Sequence, residues 1–124
     1  MHPGAAQRAA TREIRVLIEQ LPVTALRDWL DDTQRAAPLI VDVREPQEYQ
    51  INRVPGSILI PLGDLPKRYV ELDPNANIVT QCKSGMRSAK AQEFLRSKGF
   101  TQVRNLTGGV LGWIDQVDPS QPKY

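Results

Sequence analysis

The sequence predicts an α/β fold: a small doubly wound, mostly parallel sheet flanked by helices on both faces. Three observations carry that prediction. Short apolar or β-branched runs recur at Leu39-Ile40-Val41, Ile58-Leu59-Ile60, Ile78-Val79-Thr80 and Val103–Leu106, each too short to stand as a helix. Segments with helical spacing separate them, which implies parallel neighbours joined by crossover helices. The first two runs are apolar throughout and the third, Ile78-Val79-Thr80, is β-branched throughout, as in strands covered on both faces.

The elements follow in order. Residues 1–16 are Ala- and Arg-rich, polar and terminal, and read as a linker or N-terminal extension. Leu17–Leu21 is a short strand, and Leu26, Trp29 and Leu30 give Thr24–Asp32 a helical period. Leu39-Ile40-Val41, bounded by Pro38, is a buried strand, and Pro46 suits the first turn of a short helix. Ile58-Leu59-Ile60 is a second buried run, closed by Pro61. Asp64–Leu72 reads as one helix that Asp73-Pro74 ends. Ile78-Val79-Thr80 is a third core strand, and residues 85–98 form the strongest helix, stopped by Gly99. Val103–Leu106 is the last strand, and Gly108-Gly109 lead into a short helix through Trp113. Trp29 and Trp113 read as core residues. The boundaries are therefore 1–16, a domain over 17–118, and a tail over 119–124.

At 124 residues and 13.9 kDa the chain has the length of one domain. A single cysteine excludes an intramolecular disulfide framework, and the single histidine, His2, leaves no histidine-based metal site or catalytic pair in the body. A net charge of +2, from 16 basic and 14 acidic residues, is too small to argue for nucleic acid. Nothing approaches the ~20 apolar residues of a membrane span, and no signal-peptide pattern is visible, so a cytoplasmic setting is the expectation.

Ligands of doubly wound sheets bind beyond the carboxyl ends of the strands. Cys82 stands at such an end, and Lys83-Ser84-Gly85-Met86-Arg87-Ser88 carry the chain into the strongest helix. A loop curling around a helix start turns backbone N–H groups inward and makes an anion cradle. A lone cysteine is commonly a small buried hydrophobe, but this one lies in a Gly-containing loop between Lys83 and Arg87. Moving a thiol pKa from ~8.5 to ~7 takes about 2 kcal/mol. A helix N-terminus supplies ~0.3–2 kcal/mol of that, and Lys83, Arg87 and the loop amides are the candidates for the rest, with no histidine base needed. At 100° per residue, Arg87, Ser88, Ala91, Phe94 and Leu95 share one helix face, with Arg87 and Ser88 at its top beside the loop.

The segments LIVDVREPQEY, VPGSILIPL, IVTQCKSGMRSAKAQEFLRSKGF and VRNLTGGVLGW resemble, in this order, the rhodanese-like sulfurtransferases, and the likeness covers about residues 18–118. The resemblance implies that Cys82 takes a sulfur atom from a donor, holds it as a persulfide and passes it to an acceptor. It implies that residues 83–87 supply loop amides, with Arg87 closing a six-residue loop, and it implies no metal or cofactor. Related cysteine phosphatases use a wider loop with five residues between Cys and Arg; here four intervene, which favours a single sulfur over a phosphate. Many members carry Gly-His before the Val-Pro-Gly turn, where this chain has Asn52-Arg53. Arg53 is thereby a candidate for attracting an anionic donor. Asp42 and Arg44 read as supporting residues, Asp42 accepting loop hydrogen bonds and Arg44 pairing with a carboxylate such as Glu48. Met86 reads as an apolar contact on the rim.

The tail GWIDQVDPSQPKY, with INRVPGS and CKSGMRSA, resembles the C-terminal rhodanese domains of MoeB-type, ubiquitin-activating-like adenylyltransferases. That resemblance implies a place in molybdenum-cofactor or thiamine-type biosynthesis. The implied partners are thiosulfate or a cysteine-desulfurase persulfide as donor, a ubiquitin-like sulfur carrier as acceptor, and a fused adenylyltransferase domain. Neither nucleic acid nor membrane is implied. The chain has no G-x-G-x-x-G fingerprint and no paired C-x-x-C motif, so it does not hold the adenylating half itself. Two other readings stand beside the enzyme: a non-catalytic interaction module on the same fold, and oxyanion reduction or dephosphorylation, which the loop length opposes.

Overall fold

A computed structural model describes residues 19–124. The reading of 1–16 as a linker, and Leu17 and Ile18 of the first expected strand, lie outside these residues. The described chain runs β1 (Gln20–Pro22), α1 (Val23–Asp31), β2 (Leu39–Asp42), α2 (Pro46–Ile51), β3 (Ile58–Leu59), α3 (Leu65–Arg68), a 3₁₀ turn (Tyr69–Glu71), β4 (Ile78–Gln81), α4 (Met86–Ser97), β5 (Val103–Thr107) and α5 (Gly109–Gln116). The five strands form one sheet in the order β1-β5-β4-β2-β3, and every pairing is parallel.

Successive residues of each inner strand feed opposite faces, as the two-residue period of a strand requires. Val41, Ile78 and Val103 enter one cluster with Leu65, Ala91, Leu95 and Phe100. Ile40, Val79 and Leu106 enter the other with Val23, Leu26, Trp29 and Trp113. Both faces are thus buried, which explains the unbroken apolar runs, and both tryptophans lie in the core. Pro22 is tolerated because β1 is an edge strand. Glu45 and Glu48 form a reciprocal capping box at the start of α2, with Pro46 in its first turn.

Two expectations are corrected. The run at Ile58–Ile60 is not a buried strand: β3 is the sheet's other edge, Ile58 is 39% exposed, and only Ile60, beyond the strand, is fully buried. Asp64–Leu72 is not one helix. It tightens after Arg68 into a 3₁₀ turn closed by the Leu72 N–H on the Tyr69 carbonyl, which brings Leu72 into the cluster that also takes Leu65 and leaves Val70 exposed. Among the described residues no helix is long and apolar enough to cross a membrane.

Candidate active site

β4 ends at Gln81 and α4 begins at Met86, so Cys82–Gly85 is the connection between the central strand and the longest helix among the described residues. Gly85, with φ +120°, makes the turn in a region that side-chain-bearing residues rarely adopt. The loop's carbonyls face away from the sulfur. Val110 N–H donates to the Cys82 carbonyl at 2.9 Å and Leu111 N–H to the Lys83 carbonyl at 3.2 Å, so the first turn of α5 satisfies them. The Gln81 side-chain amide also donates to the Cys82 carbonyl, at 2.9 Å. This seat requires Gly109: a Cβ there would collide with the backbone of Cys82 and Lys83.

With the carbonyls engaged outward, the amides turn in. Gly85 N–H donates to Cys82 Sγ at 3.1 Å, and Ser88 Oγ lies 3.3 Å from the same sulfur. Cys82 is 1% exposed and its other flank joins the apolar cluster of Val43, Ile60 and Leu65. Burial pushes the thiol up. The Ser88 hydroxyl and the backbone amides of Ser88, Gly85 and Ser84 outweigh it, so Cys82 ionises below the ordinary thiol range. The sulfur is walled by hydrocarbon on one side and addressed by donors on the other.

The remaining loop residues take different places. Ser84 is exposed, Met86 is 76% exposed at the start of α4, and Ser88 is buried. The side chains of Lys83 and Arg87, the candidates for further stabilising the thiolate, each have another close partner. Lys83 Nζ sits 4.3 Å from the centre of the Tyr124 ring. Arg87 grips both Glu48 oxygens, at 2.6 and 2.9 Å, and this pairing holds its guanidinium above the usual arginine range, with a smaller contribution from the charge of Cys82. The physical reason is competition. A long flexible cation finds a carboxylate or an aromatic face more readily than it reaches a sulfur already supplied with short-range amide donors.

The supporting residues also differ from expectation. Asp42 takes no hydrogen bond from the loop, and Arg44 does not pair with the Glu48 carboxylate. Asp42 accepts the Arg44 backbone N–H at 3.0 Å and the Arg44 guanidinium at 2.7–3.1 Å, both side chains being fully buried. Residues two apart at a strand end project to the same side, which makes these two each other's nearest partners. The guanidinium then ties in α2 and the tail, through the Glu48 carbonyl at 3.3 Å, Asn52 Oδ1 at 2.9 Å and the Tyr124 hydroxyl at 3.0 Å. Arg53 is exposed and stacks 3.9 Å over the Tyr49 ring, while its backbone N–H and carbonyl pair with Gln121.

Sequence reasoning missed Asn105, Glu48's hold on Arg87, and Tyr124. Asn105 is 5% exposed on β5 and its Oδ1 accepts from Ser88 Oγ at 2.6 Å. One signal was available: a polar amide amid the apolar residues of a core strand must find buried partners.

Comparison with known proteins agrees with this architecture. A family model described as rhodanese-like domain matches residues 23–116. Over 101 residues the chain is 36% identical to the probable adenylyltransferase/sulfurtransferase MoeZ of Mycobacterium tuberculosis, covering 80% of this chain but 25% of that protein. It is 30% identical to the putative sulfurtransferase YtwF of Bacillus subtilis, covering 82% of this chain and 96% of that one. The crystal structure of a rhodanese-like domain protein from Staphylococcus aureus superposes with a TM-score of 0.73 at 26% identity, covering 86% of this chain and 98% of that one.

Proposed function

The chain belongs to the rhodanese-like family, and from that premise we propose that it is a sulfurtransferase in which Cys82 is the nucleophile. The observation that carries the reading is the convergence of Gly85 N–H and Ser88 Oγ on Cys82 Sγ, at 3.1 and 3.3 Å. These donors favour the charged sulfur, which is the attacking species.

The thiolate attacks the sulfane sulfur of a donor. A bond forms between Sγ and that sulfur, the donor's own bond to it breaks, and the leaving group departs with the electron pair: sulfite from thiosulfate, or a thiolate from a desulfurase persulfide. The charge now rests on the outer sulfur, and the amides of Ser84, Gly85 and Ser88, which already favour the charged form of Cys82, are the donors we assign to it. An acceptor nucleophile then takes the outer sulfur and Cys82 leaves as thiolate. Lys83, Ser84 and Met86 line the rim over which donor and acceptor approach. Arg87, Asp42 and Arg44 hold the frame around it.

The finer assignment rests on relatives. MoeZ, whose name joins adenylyltransferase and sulfurtransferase, is four times the length this chain spans. We assign the acceptor to a ubiquitin-like sulfur carrier activated by an adenylyltransferase domain, in biosynthesis of the molybdenum-cofactor or thiamine type. With this acceptor the polarity inverts: the outer persulfide sulfur attacks the adenylated carrier carboxyl and AMP leaves. A thiol then attacks Cys82 Sγ to release the carrier thiocarboxylate, and a second thiol reduces the resulting disulfide to return the Cys82 thiolate. A cytoplasmic setting fits that chemistry.

The test is intact mass after incubation with thiosulfate, or with a cysteine desulfurase and cysteine. The expected outcome is a gain of about 32 Da, one sulfur atom, removed by a reductant and absent in Cys82→Ala. Donor preference follows from which mixture loads the protein. Equal loading of Cys82→Ala, or no loading by either donor, defeats the assignment and leaves the interaction module.

A further inference from the structure

Ser88 has one hydroxyl proton and two neighbours that want it. Its Oγ lies 2.6 Å from Asn105 Oδ1 and 3.3 Å from Cys82 Sγ. The orientation of the Asn105 amide is not free. Its Nδ2 faces two acceptors, the Gly85 carbonyl at 3.3 Å and Gln20 Oε1 at 3.5 Å. Turning the amide over would aim Oδ1 at both oxygens, so Oδ1 stays on Ser88 and is an acceptor only. A hydroxyl cannot donate twice. Either the proton goes to Asn105 and the Ser88 oxygen offers a lone pair to the sulfur, or it goes to the sulfur and two oxygens face each other without a hydrogen between them.

We propose that Asn105 is a positioning residue that competes with Cys82 for the Ser88 proton and so governs when the sulfur carries charge. The proposal rests on the reading of Cys82 as a sulfur-accepting nucleophile, and assigns β5 a part in it. With Cys82 as thiol, the chain S–H to Ser88 Oγ to Asn105 Oδ1 is fully satisfied. With Cys82 as thiolate, the charge on Sγ draws the Ser88 proton away from Asn105. With a persulfide, the charge sits one atom further out, beyond Sγ, and the proton returns to Asn105. The amide therefore disfavours the bare thiolate relative to both the thiol and the loaded state, and its removal and its ionisation act in opposite directions.

The experiment is the rate of Cys82 alkylation by iodoacetamide against pH, which reads the thiolate whether or not sulfur is transferred. In Asn105→Ala the competitor is gone, and the midpoint falls by about half a unit, roughly threefold more thiolate at pH values below it. In Asn105→Asp a carboxylate captures the proton and adds negative charge, and the midpoint rises by about one unit, roughly tenfold less thiolate. In a Ser88→Ala background, Asn105→Ala no longer moves the midpoint, because the coupling runs through the hydroxyl. Midpoints moving the same way in the two Asn105 variants, or an Asn105→Ala effect that survives Ser88→Ala undiminished, overturns the proposal. Should Asn105→Asp fail to fold, the Ala cycle decides alone. Should Asn105→Ala fail, Asn105→Ser replaces it in the same cycle, with the same two expectations. Variants that show these shifts, beside a wild type that takes no sulfur from either donor, defeat the function instead and leave the proton competition standing.

Discussion

Asp42 and Arg44 form an ion pair with both side chains at 0% exposure. Burial pulls the Arg44 guanidinium down, and the hydrogen bonds it donates to Asp42 and Tyr124 more than reverse it, so Arg44 stays charged. A buried pair does little for stability compared with a well-packed apolar pair, but removing one member strands the other charge. Arg44→Ala is therefore expected to cost about 3–5 kcal/mol in urea unfolding at neutral pH. Arg44→Lys does not restore it, because a single ammonium cannot span Asp42, Asn52 and the Tyr124 hydroxyl as the guanidinium fork does. A loss below about 1 kcal/mol, the range of exposed pairs, contradicts the account.

At the scale of elements, α5 acts on the loop more than its short length suggests. Its first N–H groups hold the carbonyls of Cys82 and Lys83, and Gly109 at φ +59° makes that approach feasible. In Gly109→Ala the new methyl has only backbone to displace, so the loop must move. Alkylation of Cys82 at pH 7 should slow severalfold, while far-UV circular dichroism changes little because strands and helices away from the loop are untouched. Unchanged alkylation would mean that α5 merely abuts the loop. This dependence marks where the sequence was legible and where it was not. Proline, glycine and apolar runs announce local events, so Leu39–Asp42, Ile78–Gln81 and Met86–Ser97 stood close to their expected bounds. The position of Cys82 at a strand end was legible for the same reason. The edge position of β3 was hidden, because nothing local says which strand lies outermost. Partner choice was hidden as well. Arg87 meets Glu48 39 residues away and Ser88 meets Asn105 17 residues away, and only the crossover connections decide such meetings.

Across the whole molecule, one carboxylate joins three separated regions. Glu48 of α2 takes Arg87 of α4 on both oxygens and the Tyr124 hydroxyl of the tail at 2.6 Å, while Asn52 holds the Pro122 carbonyl at 2.7 Å. The tail is thereby fastened beside the rim of the loop, with its last ring against Lys83. Arg87 above all, then Tyr124 and the Glu45 N–H, overcome burial and lower the Glu48 carboxyl from 4.5 to about 2. A folded value below the unfolded one means that ionised Glu48 stabilises the native state. That contribution is complete above 4.5 and is lost as pH falls through about 2. The melting temperature of the wild type should therefore drop steeply from about pH 5 to about pH 2. Glu48→Gln should melt lower at neutral pH and show a shallower drop, since it has nothing to protonate. Tyr124→Phe should lie between the two at neutral pH, having lost the hydroxyl that donates to Glu48 and accepts from Arg44 while keeping the ring over Lys83. If Glu48→Gln follows the wild-type slope throughout, the acid sensitivity belongs to other carboxylates, and the tail is fastened by Asn52 and Gln121 instead of by charge.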